Sequence, residues 1–361
     1  MAGLLDDFRL KDVVLRNRIA VAPMCQYSSD NGFPNDWHFV HLGSRAVGGA
    51  GLVVVEATAV SPEGRISPGD SGIYLDDHVP AFARIVDFLK EHGSVPGIQL
   101  AHAGRKASAN KPWEGDDHID NAHGGWDTIA PSAIPFGANL PKVPQAMTAE
   151  DIQRIQQSFV AAARRSLDAG FQWLELHFAH GYLAHEFYSP LANQRTDQYG
   201  GSFDNRIRFL METFTAVRQV WPERLPLTVR LSVTDWLDGG VTVEESIELV
   251  RRLQGAGLDL LDISQGFVTP DISMIPWGPG FMAPIAGRIR QETSVPTAVG
   301  WLITDPQQAD DIIRSNQSDL VMLAREMLRD PYWPYHAALK LGSDSAANLL
   351  PVQYARAVRH R

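Results

Sequence analysis

The stretch TAEDIQRIQQSFVAAARRSLDAGFQWLELHFAHGY, Thr148 to Tyr182, reads as one helix feeding one strand. In its first part Ile152, Ile155, Phe159 and Ala162 fall on one stripe. Thr148 stands where an N-cap oxygen is needed and Gly170 where a helix stops, so a helix is expected over 150–169. In its second part, 173–177 is largely apolar with little alternation, the pattern of a strand covered on both faces in a parallel sheet. The same pairing recurs outward in both directions. Strands are expected at 18–22, 51–57, 95–100, 227–231, 258–264, 295–299 and 319–323. Thr242-Val-Glu-Glu245 opens a further helix over 243–254 as a capping box, with Ile247, Val250 and Leu253 turned inward. Eight strands, each followed by a helix, read as a (β/α)8 TIM barrel, an α/β fold in a single domain spanning 1–361. A doubly wound sheet is the alternative, but no G-x-G-x-x-G follows the first strand and no P-loop occurs.

Composition narrows the class. Lys and Arg number 32 against 42 Asp and Glu, a net charge of −10, which disfavours nucleic acid or an anionic membrane as main partner. The single cysteine, Cys25, excludes an internal disulfide and a cysteine-cage metal site. The start, MAGLLDDFRL, carries acids where a signal peptide needs a basic region. No apolar run approaches the ~18 residues of a membrane helix. A cytoplasmic protein is expected. Segment 104–145, rich in Gly, Pro, Asn, Asp and Trp, follows the third strand without any sustained period. Loops after barrel strands build the catalytic face, so this one is expected to cap the site.

The strand ends on that face carry chemistry. They are Ala22-Pro-Met-Cys-Gln-Tyr27, Glu56-Ala57, Gln99 to Gly104, His177-Phe-Ala-His-Gly-Tyr182, Arg230, Ser264, Gly300-Trp301 and Ala324-Arg325. His177 and His180 admit three readings: structural histidines, metal ligands completed by His102, His41 or Glu56, or two donors on one substrate oxygen. The absence of H-E-x-x-H weakens the metal reading. Tyr182 is a packing residue or a proton donor beside that oxygen. Cys25 is a small core residue or a weak donor tuning a redox cofactor; no base stands near it in sequence to make it a nucleophile. Arg230 pairs with a neighbouring acid or stabilises an anionic cofactor. Backbone N–H groups at Gly300-Trp301 and Ala324-Arg325 lie where barrels bind phosphate. A phosphate there, with Arg230 and Gln99, describes a pocket for an elongated, planar, phosphorylated cofactor such as FMN.

Leu15-Arg-Asn-Arg-Ile19, Ala22-Pro-Met-Cys-Gln-Tyr27, Val55-Glu-Ala57, Gln99 to Ala107, His177 to Tyr182, Arg195-Thr-Asp-Gln-Tyr-Gly-Gly-Ser202 and Asn205-Arg206 occur in this order. Together they resemble the old yellow enzyme family of FMN-dependent ene-reductases. Cys25 and the His-x-x-His pair select its bacterial, thermophilic-like branch. The resemblance implies a ping-pong reaction, with NADPH or NADH as hydride donor to tightly bound, non-covalent FMN. Reduced FMN then passes hydride to the β-carbon of an α,β-unsaturated carbonyl or nitro compound, with protonation at the α-carbon. It implies that Ala22, Pro23, Met24, Cys25 and Ala57 line the flavin. Gln99 takes the pyrimidine edge and Arg230 the N1/C2 region. Gly300, Trp301, Ala324 and Arg325 hold the phosphate. His177, His180 and Tyr27 place the substrate, Trp301 borders it, and Tyr182 gives the proton. Relatives usually carry Gly-Arg where this chain has Ala324-Arg325. No metal is implied. The tail Pro351-Val-Gln-Tyr354 with Arg356 matches a string that relatives use across a subunit interface, implying a homodimer or dimer of dimers with Arg356 in the partner's substrate pocket.

Overall fold

The computed structural model describes residues 2–358; the side chains of 355 and 356 lie outside the described part. Eight parallel strands close into a barrel: β1 (Ile19–Val21), β2 (Leu52–Ala59), β3 (Val95–Ala101), β4 (Trp173–Phe178), β5 (Leu227–Ser232), β6 (Leu260–Ser264), β7 (Thr297–Val299) and β8 (Leu320–Leu323). They pair in chain order, and β8 returns to β1. Nearly every strand residue is buried, because one face fills the barrel and the other meets the helices. That double burial removes alternation from the sequence.

The outer ring is α1 (Asp36–Val47), α2 (Val79–Glu91), α3 (Ala149–Asp168), α4 (Arg208–Arg218), α5 (Val243–Gly255), α6 (Ala283–Thr293), α7 (Pro306–Arg314) and α8 (Trp333–Lys340). Helix α3 presses Ile152, Ile155, Phe159 and Ala162 inward, as its stripe predicts. Thr148 and Asp151 cap it reciprocally. At α5 only half of the expected box forms. The Thr242 hydroxyl accepts from Glu245 N–H, but the Glu245 carboxylate is drawn off to Arg206, 2.5 Å away. A charged partner within reach outcompetes a backbone N–H.

Several features lie beyond the repeating unit, and two bear on how the barrel is closed and aimed. An antiparallel hairpin, Phe8–Leu10 with Val13–Leu15, covers the amino end of the barrel, where Asp12 N–H donates to Arg224 O at 3.0 Å. In β2 the register with β3 shifts between Val55 and Ala57. Such a bulge re-aims side chains. Here Ala57 faces the cavity at the carboxyl end, while Glu56 accepts from Gln26 N–H at 3.1 Å and anchors the segment after β1. No helix among the described residues is long and apolar enough to cross a membrane.

Candidate active site

A cavity of about 740 Å3 opens at the carboxyl ends of the strands. Ala22, Pro23 and Cys25 form one side and Ala57 and Gln99 the next. His177, His180 and Tyr182 stand over the floor beside Arg230, and Gly300, Trp301, Ala324 and Arg325 form the far end. Met24 and Tyr27 do not line it. Met24 packs against the core, and Tyr27, in a left-handed turn at φ +51°, turns its ring edge-on to Trp113 at 6.0 Å. The side chain of Arg356 lies outside the described residues. The segment 104–145 does not line the cavity itself but closes on the site from outside: Lys106 Nζ donates to His180 O at 2.9 Å and lies 5.1 Å from the Tyr182 ring centre. The upper wall comes instead from the loops after β6 and β7, where Phe267 and Trp301 stack at 5.8 Å and Trp277 stands 6.0 Å from Trp301. Trp301 is marked in sequence by its place after β7, whereas Phe267 and Trp277 sit in a loop without period, so only composition could have marked them.

The two histidines and the tyrosine form a tight group. His177 lies 5.0 Å from His180 and 5.1 Å from Tyr182 between ring centres. Burial, then the Arg230 charge, pushes both histidines well below their ordinary range, so they are neutral. Ala179 N–H donates to His177 Nδ1 at 3.3 Å, which leaves the ring proton on Nε2. His180 Nε2 meets Ser264 Oγ at 2.5 Å. Burial, then Cys25, raises the Tyr182 phenol far above its usual value. Burial, then Asp70 and Glu56, raises the Cys25 thiol, which argues against a thiolate nucleophile.

Behind this group a buried relay fixes the turn. Gly181 N–H donates to His185 Nδ1 at 2.9 Å, and His185 Nε2 lies 3.0 Å from Asp235 Oδ1. The metal reading finds no third ligand. His102 Nδ1 accepts from Gly104 N–H, Glu56 is taken by Gln26 and Ser71, and His41 belongs to α1. Among the described residues no three His, Cys, Asp or Glu stand where they could hold an ion.

The donor set fits FMN. Arg230 Nε lies 3.1 Å from Asp262, and no protein acceptor among the described residues meets its terminal nitrogens, which border the cavity. Gly300 is required at the far end, since a Cβ there would come within 2.7 Å of Met322 O. Ala324 replaces the relatives' glycine without a left-handed penalty, because its φ is −106°.

A parallel (β/α)8 barrel with this pocket at its carboxyl face defines a flavin-dependent oxidoreductase. The model of the NADH:flavin oxidoreductase / NADH oxidase family matches residues 4–343, and the chain belongs to that family, the old yellow enzyme family. It is 45% identical over 358 residues to an NADPH dehydrogenase of Geobacillus thermodenitrificans, covering 99% of this chain and 98% of the relative. An NADPH dehydrogenase of Bacillus velezensis is also 45% identical, over 98% of each chain. Among solved structures, morphinone reductase in complex with tetrahydroNAD superposes with a TM-score of 0.78 at 26% identity, covering 95% of this chain and 92% of that one. The 2-naphthoyl-CoA reductase complex gives 0.86 at 25% identity over 96% of this chain, but only 53% of that one. The protein is an NAD(P)H-dependent flavin oxidoreductase with FMN as cofactor.

Proposed function

We propose that this oxidoreductase is an ene-reductase acting on α,β-unsaturated carbonyl or nitro compounds. The observation that carries the reading is the group of neutral His177, neutral His180 and protonated Tyr182 over one cavity. Bound there, FMN would supply the hydride chemistry between NAD(P)H and the substrate. Gln99 and Arg230 orient its pyrimidine side, and the backbone at Gly300 and Ala324 holds its phosphate. His177 Nε2–H donates to the activating oxygen of the substrate. When Ser264 donates to His180 Nε2, His180 Nδ1–H supplies the second donor. Two fixed donors where negative charge develops stabilise it by a few kcal/mol each, by analogy with oxyanion holes. That withdrawal makes the β-carbon electrophilic, and Tyr182 protonates the α-carbon.

The test is anaerobic turnover of the FMN-loaded protein with NADPH and cyclohexenone. Nicotinamide oxidation that depends on the enone and yields cyclohexanone is expected. Flavin reduction without enone turnover would make the protein a redox carrier or sensor instead.

A further inference from the structure

Four polar side chains occupy consecutive strands beneath the cavity, in a barrel interior that is otherwise closely packed. Gln99 is on β3, Glu175 on β4, Arg230 on β5 and Asp262 on β6, with Gln99 level with Glu175 and Arg230 level with Asp262. Gln99 Nε2–H donates to Glu175 Oε1 at 2.7 Å. Asp262 is wholly buried and Glu175 is 1% exposed, and neither oxygen of Asp262 accepts an aligned hydrogen bond. Asp262 lies 3.1 Å from Arg230 Nε, and Glu175, two residues below Arg230 in register, feels both charges at longer range, so two buried carboxylates share one guanidinium. With both ionised, a net negative charge would sit on buried side chains, which is costly unless a proton is retained.

We propose that Glu175 and Asp262 form a proton-holding pair that sets how much of the Arg230 charge reaches the pocket above, and so tunes the redox potential of FMN bound there. The inference rests on the proposed placement of Gln99 and Arg230 against the cofactor. The groups facing the pair are Arg230 from β5 and the Gln99 amide from β3, with neutral His177 two residues along β4. Burial, then the Asp262 charge, holds Glu175 up to about 8, and burial raises Asp262 to about 6 against the pull of Arg230. The pair titrates as a unit.

Hydride brings two electrons and one proton, so the cofactor gains one negative charge. That charge draws on Arg230 and raises the pair's affinity for a proton from solvent; only a carboxyl O–H bond forms. By reciprocity, a pair that has lost its proton makes reduction harder. Above about pH 8 the oxidised protein lacks the proton and reduction takes it up. The potential then falls more steeply with pH, by one extra proton per two electrons.

Spectroscopic redox titration of the FMN-loaded protein between about pH 6 and about pH 9.5, without substrate, tests this. The parent should show a break to a steeper slope near the upper value. Glu175→Gln keeps an amide for Gln99 and cannot ionise. It should follow the parent below the break, lie at higher potential beyond it, and show no break. Asp262→Asn should move the break to lower pH, because Glu175 then has Arg230 to itself. Parallel curves for the parent and Glu175→Gln overturn the proposal, as does a break that Asp262→Asn leaves in place. Arg230→Gln that alters neither FMN affinity nor potential would overturn the placement of Arg230 instead.

Discussion

Tyr182 enters the reaction protonated, because burial makes its phenolate too costly to exist at neutral pH. In the proposed reaction only enone reduction draws on that proton. Tyr182→Phe should therefore leave flavin reduction by NADPH unchanged and slow reoxidation by cyclohexenone by about 10² to 10⁴-fold, the usual worth of a positioned acid. Stopped-flow traces of the two half-reactions check this, and an unchanged second phase would assign the proton to solvent. Cys25 has the opposite proposed profile: a half-buried thiol held neutral lines the pocket and, in the proposed reaction, takes no chemical step. Cys25→Ala should keep turnover within about tenfold and shift the flavin potential by removing a weak S–H donor. Complete loss of activity in a folded, FMN-loaded variant would contradict that. These side chains could be read from sequence because each ends a strand on the catalytic face. Glu175 and Asp262 could not, although they are the charges that interrupt two apolar runs. Sequence shows that a strand buries a charge, but not which neighbour across the sheet answers it.

At the scale of elements, the turn after β4 carries the most constraint. His180 and Gly181 both lie in the left-handed region, at φ +61° and +69°. A Cβ on Gly181 would stand 2.1 Å from Phe267 O, in the loop after β6. Gly181→Ala should push these two loops apart, moving His180 from Ser264. It should raise the Michaelis constant for enones more than it lowers kcat, and it should cost stability in chemical denaturation. A crystal structure of the variant with both loops unmoved would refute the mechanism. Caps give a quieter test. Thr148→Ala breaks a reciprocal box and should cost about 1 kcal/mol. Thr242→Ala removes one bond and should cost less. Denaturant titration compares the pair, and the reverse order would sink the argument. Helix stripes, caps and strand positions were readable because they depend on near neighbours in sequence. The bulge at Glu56, the diversion of Glu245 to Arg206 and the packing of Phe267 and Trp277 against Trp301 depend on distant partners, and no local pattern announces them; Trp301 itself was legible from its place after β7.

For the whole molecule, closure of eight strands follows from one repeated unit, whereas assembly depends on surfaces that repetition does not describe. We propose a homodimer, or a dimer of dimers, in which the tail of one chain reaches the other. The tail segment 348–353 folds back beside Arg16, Val47 and His92, on the outside of the barrel. It leaves Val352 80% exposed and Tyr354 42% exposed, with the Tyr354 ring 6.4 Å from that of Tyr332. Arg356 follows two residues later in sequence; in the proposed dimer its guanidinium, a rigid fork of donors, would serve the partner's pocket. A two-fold axis would give each pocket one such arginine. Truncation after Pro351 should raise the Michaelis constant for enones by about tenfold or more, a loss of ~1.4 kcal/mol in substrate binding, while lowering the melting temperature little. Arg356→Ala should reproduce the effect on binding and leave the assembly intact, which separates the arginine from the apolar contact. Sedimentation of the parent as a fully active monomer would refute the dimer. A dimer whose Arg356→Ala variant binds enones as tightly as the parent would keep the interface and remove the arginine from the site.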